Sequence, residues 1–247
     1  MAAELSALAP APGAAAPPIA GLFLSNSAAY VSAVLGALQA GWAFLPLDPR
    51  WPRQRLQQVV SLAQAQAVLY APEEATGGHG RPALEGCRLV RAPAAAGGTL
   101  PPPAEAAEPG PAREGEGPRL PYAYVLFTSG STGAPLGVLG TEEGILNRCS
   151  WMEAPPYLAM PAPPYLRAGD RVAFKTSPCF VDSIWEVFGP LLAGARVVTV
   201  PQPTAANPAA VSSSYLWPSL CFSAAAGRPL RADADPVPLC LCSSVKW

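Results

Sequence analysis

A polar, glycine-punctuated hexapeptide, Thr128-Ser129-Gly130-Ser131-Thr132-Gly133, follows directly on the apolar run Tyr124-Val125-Leu126-Phe127. Thr128, Ser129, Ser131 and Thr132 can donate hydroxyl hydrogen bonds to oxyanions, and Gly130 and Gly133 let backbone amides approach without a Cβ in the way. A segment of this kind can fold into a concavity that holds a polyphosphate. It is neither the GxxxxGK[ST] of a Walker loop nor the GxGxxG of a dinucleotide site. A flexible Gly/Ser turn has the same composition, so on the residues alone both readings stand.

Other chemistry is sparse. The six cysteines (Cys87, Cys149, Cys179, Cys221, Cys240 and Cys242) form no CxxC pair, and His79 is the single histidine. No zinc site is expected, and a reducing, cytoplasmic setting is the default. With 16 basic and 17 acidic residues the net charge is −1, which gives no footprint for nucleic acid or an anionic membrane.

The elements around the hexapeptide alternate between strand and helix. Residues 21–24 predict a strand, and Ser27 is placed to cap a helix over residues 28–40 in which Tyr30, Val34, Leu35 and Leu38 recur at helical spacing. Gly41 ends that helix, residues 43–47 predict a second strand, Pro52 opens a helix to about residue 63, and residues 67–70 predict a third strand. This is α/β wiring with a mostly parallel sheet. Residues 21–47 carry no charge and are long enough to span a bilayer. Ser25, Asn26, Ser27, Gln39, Gly41 and Pro46 break the run into strand, helix and strand lengths, so a buried βαβ opening is expected and no membrane span.

Half of the chain is hydrophobic, enough for a core, yet it contains 32 prolines and 22 glycines. Residues 1–18 are Ala/Pro-rich and expected to be disordered. Residues 91–119 run through Ala, Pro, Gly and Glu without an apolar period and read as a disordered insertion. After residues 124–127 and the hexapeptide, structure is expected in a helix from about 141 to 151, a strand near 171–175, a helix 183–192 and a strand 196–200. Residues 202–247 lose all periodicity, read as foreign to what precedes them, and are expected to be disordered.

Three ordered stretches resemble the adenylate-forming superfamily of acyl-CoA synthetases, peptide-synthetase adenylation domains and luciferases. Thr128 to Gly133 followed by Ala134-Pro135-Leu136-Gly137-Val138 looks like its phosphate loop. Leu38-Gln39-Ala40-Gly41-Trp42-Ala43-Phe44-Leu45-Pro46-Leu47-Asp48-Pro49 looks like its LKAGxAYVPLDP motif. Gly169-Asp170-Arg171-Val172 through Trp185-Glu186 to Pro190-Leu191-Leu192-Ala193-Gly194-Ala195 looks like its GDRV…WE…PLLAGA segment. The resemblance covers residues 19–201 without 91–119, as part of the family's N-terminal domain, and is nearest to amino-acid-activating members. Gly140-Thr141-Glu142-Glu143-Gly144-Ile145-Leu146-Asn147-Arg148 is similar to beta-alanine-activating, plant acyl-activating-type proteins.

The resemblance implies a carboxylic or amino acid activated with ATP and magnesium to an acyl-adenylate, with a carrier domain or coenzyme A as partner in a longer parent. Residues Thr128, Ser129, Gly130, Ser131, Thr132 and Gly133 would hold the phosphates. Where the family usually has Lys-Pro-Lys-Gly, this chain has Ala134-Pro135-Leu136-Gly137, so two cations are missing and nucleotide affinity is weakened. The position of the family's amine-anchoring aspartate is Val181, with Asp182 one residue on. Asp182 either pairs with the amine of a β-amino acid or caps the helix that follows. Past Val200 the family's adenine-pocket, ribose-binding and lid motifs do not occur, which implies that this chain alone does not complete the reaction. A nucleotide-binding module without turnover and an interaction protein that kept only the packing are the other classes.

Overall fold

The structure, a computed structural model, describes residues 5, 16–71, 82–92, 121–129, 134–153, 166, 168, 170–201 and 220–221. The uncharged opening run resolves into strand β1 (Ile19–Phe23), helix α1 (Ala28–Gln39) and strand β2 (Ala43–Leu47). Both strands are buried along their whole length, as strands covered on two faces must be. Helix α1 starts where the Ser27 hydroxyl accepts from the Tyr30 amide at 3.1 Å, and the chain leaves it through Gly41 at φ 76°, a left-handed conformation that glycine adopts without strain. At 12 residues α1 is far too short to cross a bilayer, and among the described residues no helix is long and apolar enough to do so.

Helix α2 (Arg53–Ala63), strand β3 (Ala67–Tyr70) and strand β4 (Arg88–Arg91) follow, then the hairpin of β5 (Tyr124–Ser129) and β6 (Pro135–Gly140). They complete a six-stranded sheet in the order β4-β3-β1-β2-β5-β6, parallel except for β6, which runs antiparallel to β5. Helix α3 (Glu142–Glu153) leads on to a second, parallel sheet of order β8-β7-β9, built from β7 (Arg171–Phe174), β8 (Arg196–Thr199) and β9 (Leu220–Cys221), with helix α4 (Asp182–Leu192) crossing between β7 and β8. The mixed α/β class with a mostly parallel sheet is the one expected from the sequence. A shared core of Tyr30, Val34, Phe44, Phe174 and Val187 joins the two sheets, with Tyr30 and Phe174 rings 5.6 Å apart.

Five details differ from the sequence reading, one of them strand β4, which was not expected. Thr128 and Ser129 are not loop residues but the last two positions of β5, paired with Leu136 and Pro135, because the hairpin ladder runs on past the apolar stretch. Strand β6 was not expected, since two glycines and a proline lie in its six residues and three of its apolar side chains face outward. Arg91 closes β4 and Ala92 is buried beside it, so the expected insertion begins later, and residues 93–119 lie outside the described residues. Leu220 and Cys221 pair with Arg171 and Val172 inside the segment expected to be disordered.

Gly140 faces Tyr124 across the β5–β6 ladder, and a Cβ there would fall inside the tyrosine ring. Gly140→Ala should therefore cost about 1–3 kcal/mol through overpacking, read as a lower denaturant midpoint with an unchanged slope. An unchanged midpoint would mean that the ring swings away freely.

Candidate functional site

The carboxyl ends of β1, β2 and β5 lie along one end of the large sheet, because these strands run parallel, and the segment leaving β7 meets the turn after β1 and the end of β2 there. Crevices at such strand ends are where open α/β sheets bind ligands. Directly after β2, Asp48 accepts from the Arg50 amide at 2.9 Å, from Arg50 Nε at 3.0 Å and from Arg50 Nη2 at 2.6 Å. Burial pushes the Asp48 carboxyl up, but the hydrogen bonds and charge of Arg50 outweigh it and hold the group below the ordinary carboxylate value. The Cys179 thiol lies 3.8 Å from the Pro46 carbonyl, and burial, with Asp48 nearby, pushes it up to about 12. Cys179 is therefore a packing residue and no thiolate nucleophile.

Two buried side chains hold the segment that leaves β7. Asn26, in the turn after β1, donates through Nδ2 to the Thr176 carbonyl at 2.8 Å and to the Phe174 carbonyl at 3.3 Å. Glu186, on α4, accepts from the Lys175 amide at 2.9 Å, the Thr176 amide at 2.8 Å and the Thr176 hydroxyl at 2.7 Å, with Lys175 Nζ at 3.7 Å. The segment's donors and acceptors are thus satisfied from the β1 turn and from α4, and its path to Asp182 is fixed from both sides.

Asp182 is the first residue of α4. The N-cap position belongs to Val181, no side chain caps the helix, and the reading of Asp182 as the cap is not met. Its exposed carboxylate instead meets Arg148 Nη2 of α3 at 3.1 Å. Val181 and Phe180 beside it are exposed apolar side chains. Of the hexapeptide, Thr128 and Ser129 are exposed at the end of β5, and Gly130, Ser131, Thr132 and Gly133 lie outside the described residues. Ala134 and Leu136, which stand where the resemblance expects lysines, are exposed at the start of β6. Among the described residues no group of three His, Cys, Asp or Glu side chains could hold a metal ion.

The model of the AMP-binding enzyme family matches residues 6–215. The chain belongs to this family. Among its relatives, the beta-alanyl-bioamine nonribosomal peptide synthetase ebony of Drosophila melanogaster is 32% identical over 192 residues, covering 77% of this chain and 20% of the relative. The vanchrobactin synthetase VabF of Vibrio anguillarum is 31% identical over 184 residues, covering 74% of this chain and 6% of the relative. Among solved structures, the AMPPNP-bound form of the nonribosomal peptide synthetase FmoA3 superposes with a TM-score of 0.57 at 27% identity, covering 81% of this chain and 18% of that one. The chain thus spans a fifth or less of the length of these relatives.

Two of the family motifs quoted from the sequence supply residues to these contacts, Asp48 and Glu186, but their division of labour was not legible there. Trp185-Glu186 was visible as a motif, whereas the clamp role of Glu186 needs the fold, since its partners lie ten and eleven residues away. Asn26 was noticed only as a residue that interrupts an apolar run, and a polar side chain in such a run is itself the signal of a buried partner. Arg148 gave no signal beyond its place in a motif.

Burial raises the Glu186 carboxyl above its ordinary value of 4.5 against the opposing Thr176 and Lys175 contacts, so the unfolded chain ionises first as pH rises. Stability should then fall from pH 4.5 up to the raised folded value and return on acidification, and subtracting the Glu186→Gln profile isolates that fall. Glu186→Ala, which strands two inward-facing amides, should cost about 2–4 kcal/mol by denaturant unfolding. A difference profile flat with pH would place the proton elsewhere.

Proposed function

We propose that this chain supplies the phosphate-facing and acid-binding parts of an adenylation domain that activates an amino acid with ATP. The observation that carries this is the position of Asp182, an exposed carboxylate opening α4 after a segment that Asn26 and Glu186 hold at Lys175 and Thr176. In the proposed reaction an oxygen of the substrate carboxylate attacks the α-phosphorus of ATP. The bond from that phosphorus to the β-phosphate bridging oxygen breaks, and acyl-adenylate and pyrophosphate result. Residues 128–133 would cradle the β- and γ-phosphates with hydroxyls and amides, and any magnesium would enter on the nucleotide. The adenylate would then be passed to a carrier-domain thiol or to coenzyme A.

Asp182 would pair with the substrate ammonium, because a cation buried without a partner is costly and Val181 offers no charge. The relationship to ebony, whose name specifies a beta-alanyl product, supports a β-amino acid. A fatty or aromatic acid would instead meet Val181 and Phe180 as apolar wall.

For the 247-residue chain alone no acyl-adenylate is expected, since Ala134 and Leu136 replace the loop cations and the family's later motifs are absent from its sequence. ATP–pyrophosphate exchange above a blank would contradict this. In a longer polypeptide that joins this chain to those motifs, beta-alanine should drive exchange, and Asp182→Asn should lower kcat/KM for it by about ten- to a hundred-fold. Acids without an amine should be unaffected. Equal activity of both proteins on beta-alanine would leave Asp182 as the partner of Arg148 alone.

A further inference from the structure

Two arginine–aspartate pairs lie at the crevice, and they are built differently. Arg50 grips both oxygens of Asp48 through Nε and Nη2 and adds a backbone hydrogen bond, and the Asp48 side chain is only 10% exposed. Arg148 reaches Asp182 through one nitrogen and one oxygen at 3.1 Å, with the two side chains 38% and 68% exposed. The first is a bidentate pair on a buried carboxylate, with the Arg50 side chain 55% exposed, and it holds the backbone after β2. The second is an end-on pair in water, of the kind that contributes little to stability and exchanges readily. It also ties α3 to α4.

We infer that Arg148 is the exchangeable counter-ion of Asp182: the substrate's ammonium displaces it, and its presence sets how strongly the crevice prefers an amino acid over a plain carboxylic acid. This rests on the amine-anchoring reading of Asp182. While Arg148 is in place, a plain acid meets a neutralised pair and is tolerated, and an ammonium must compete with a guanidinium that is already there. Without Arg148, Asp182 is a bare carboxylate, which repels the carboxylate of a plain acid and attracts an ammonium. Arg148 therefore lowers discrimination, the reverse of what a residue that merely holds the crevice together would do.

The test uses the full 247-residue chain and two probes that differ only by the amine, beta-alanine and propionate, titrated by saturation-transfer NMR. Arg148→Gln should raise the ratio of beta-alanine to propionate affinity about two- to five-fold, the range over which an exposed pair competes. Arg148→Lys, which keeps the charge, should leave the ratio as in the unmodified chain, and Asp182→Asn should bring it close to one. In the unmodified chain, the Arg148 Nε–H resonance should move on adding beta-alanine and stay put with propionate, a readout that does not depend on any variant folding. If Asp182→Asn lowers the ratio while Arg148→Gln leaves it unchanged or lowers it, or if the Arg148 resonance ignores beta-alanine that binds, the counter-ion role is overturned and the amine anchor stands. If the ratio is the same with and without the Asp182 carboxylate, the anchor itself fails and this inference with it.

Discussion

The backbone leaving β7 must turn out of a buried sheet and across the end of another, where its polar groups lose water. Asn26 and Glu186 supply what water would have given: a donor for the Phe174 and Thr176 carbonyls, and an acceptor for the Lys175 and Thr176 amides and the Thr176 hydroxyl. Everything at the crevice depends on this exchange. Unpaired, these groups would cost more than the apolar contacts nearby could return, and the segment would move outward, taking Asp182 and the thiol of Cys179 with it. Glu186 meets the demand at an energetic cost of its own, since burial disfavours its charge while the amides it serves favour it.

The parallel sheet makes the crevice possible. Each crossover returns the chain to the same starting end, so β1, β2 and β5 all finish at one end of the sheet, and Asn26 after β1 and Pro46 near the end of β2 both reach the segment leaving β7 although they are far from it in sequence. The antiparallel β6 is the exception, and it matters. It runs back along β5 and leads into α3, whose Arg148 meets α4.

The elements legible in the sequence are those whose pattern comes from burial alone. Strands β1, β2 and β3 are nearly continuous apolar runs, and α1 carries its own cap, so both type and order could be read from residues 19–70. The strands that were missed owe their existence to a partner. Arg88-Leu89-Val90-Arg91 alternates over too few residues to declare itself and is a strand because β3 offers a free edge, and β6 is fixed by the ladder of β5 despite its glycines. At the crevice, the residue types were readable and the pairings were not. An Arg148 that meets Asp182 across 34 positions, or an Asn26 that meets Thr176 across 150, leaves no trace in a single chain.

The one-residue displacement of the acidic side chain, from Val181 to Asp182, has a definite geometric meaning now that both positions are placed. Val181 has helical φ and ψ of −58° and −30° and Asp182 opens the helix, so the step between them follows helix geometry and not the alternation of a strand. Along a helix one residue advances about 1.5 Å and turns about 100°. A carboxylate moved by one position therefore points about 100° away around the helix axis from a side chain at Val181, a sideways change much larger than the axial rise. Turned this way, the Asp182 carboxylate comes within reach of α3, where Arg148 meets it at 3.1 Å.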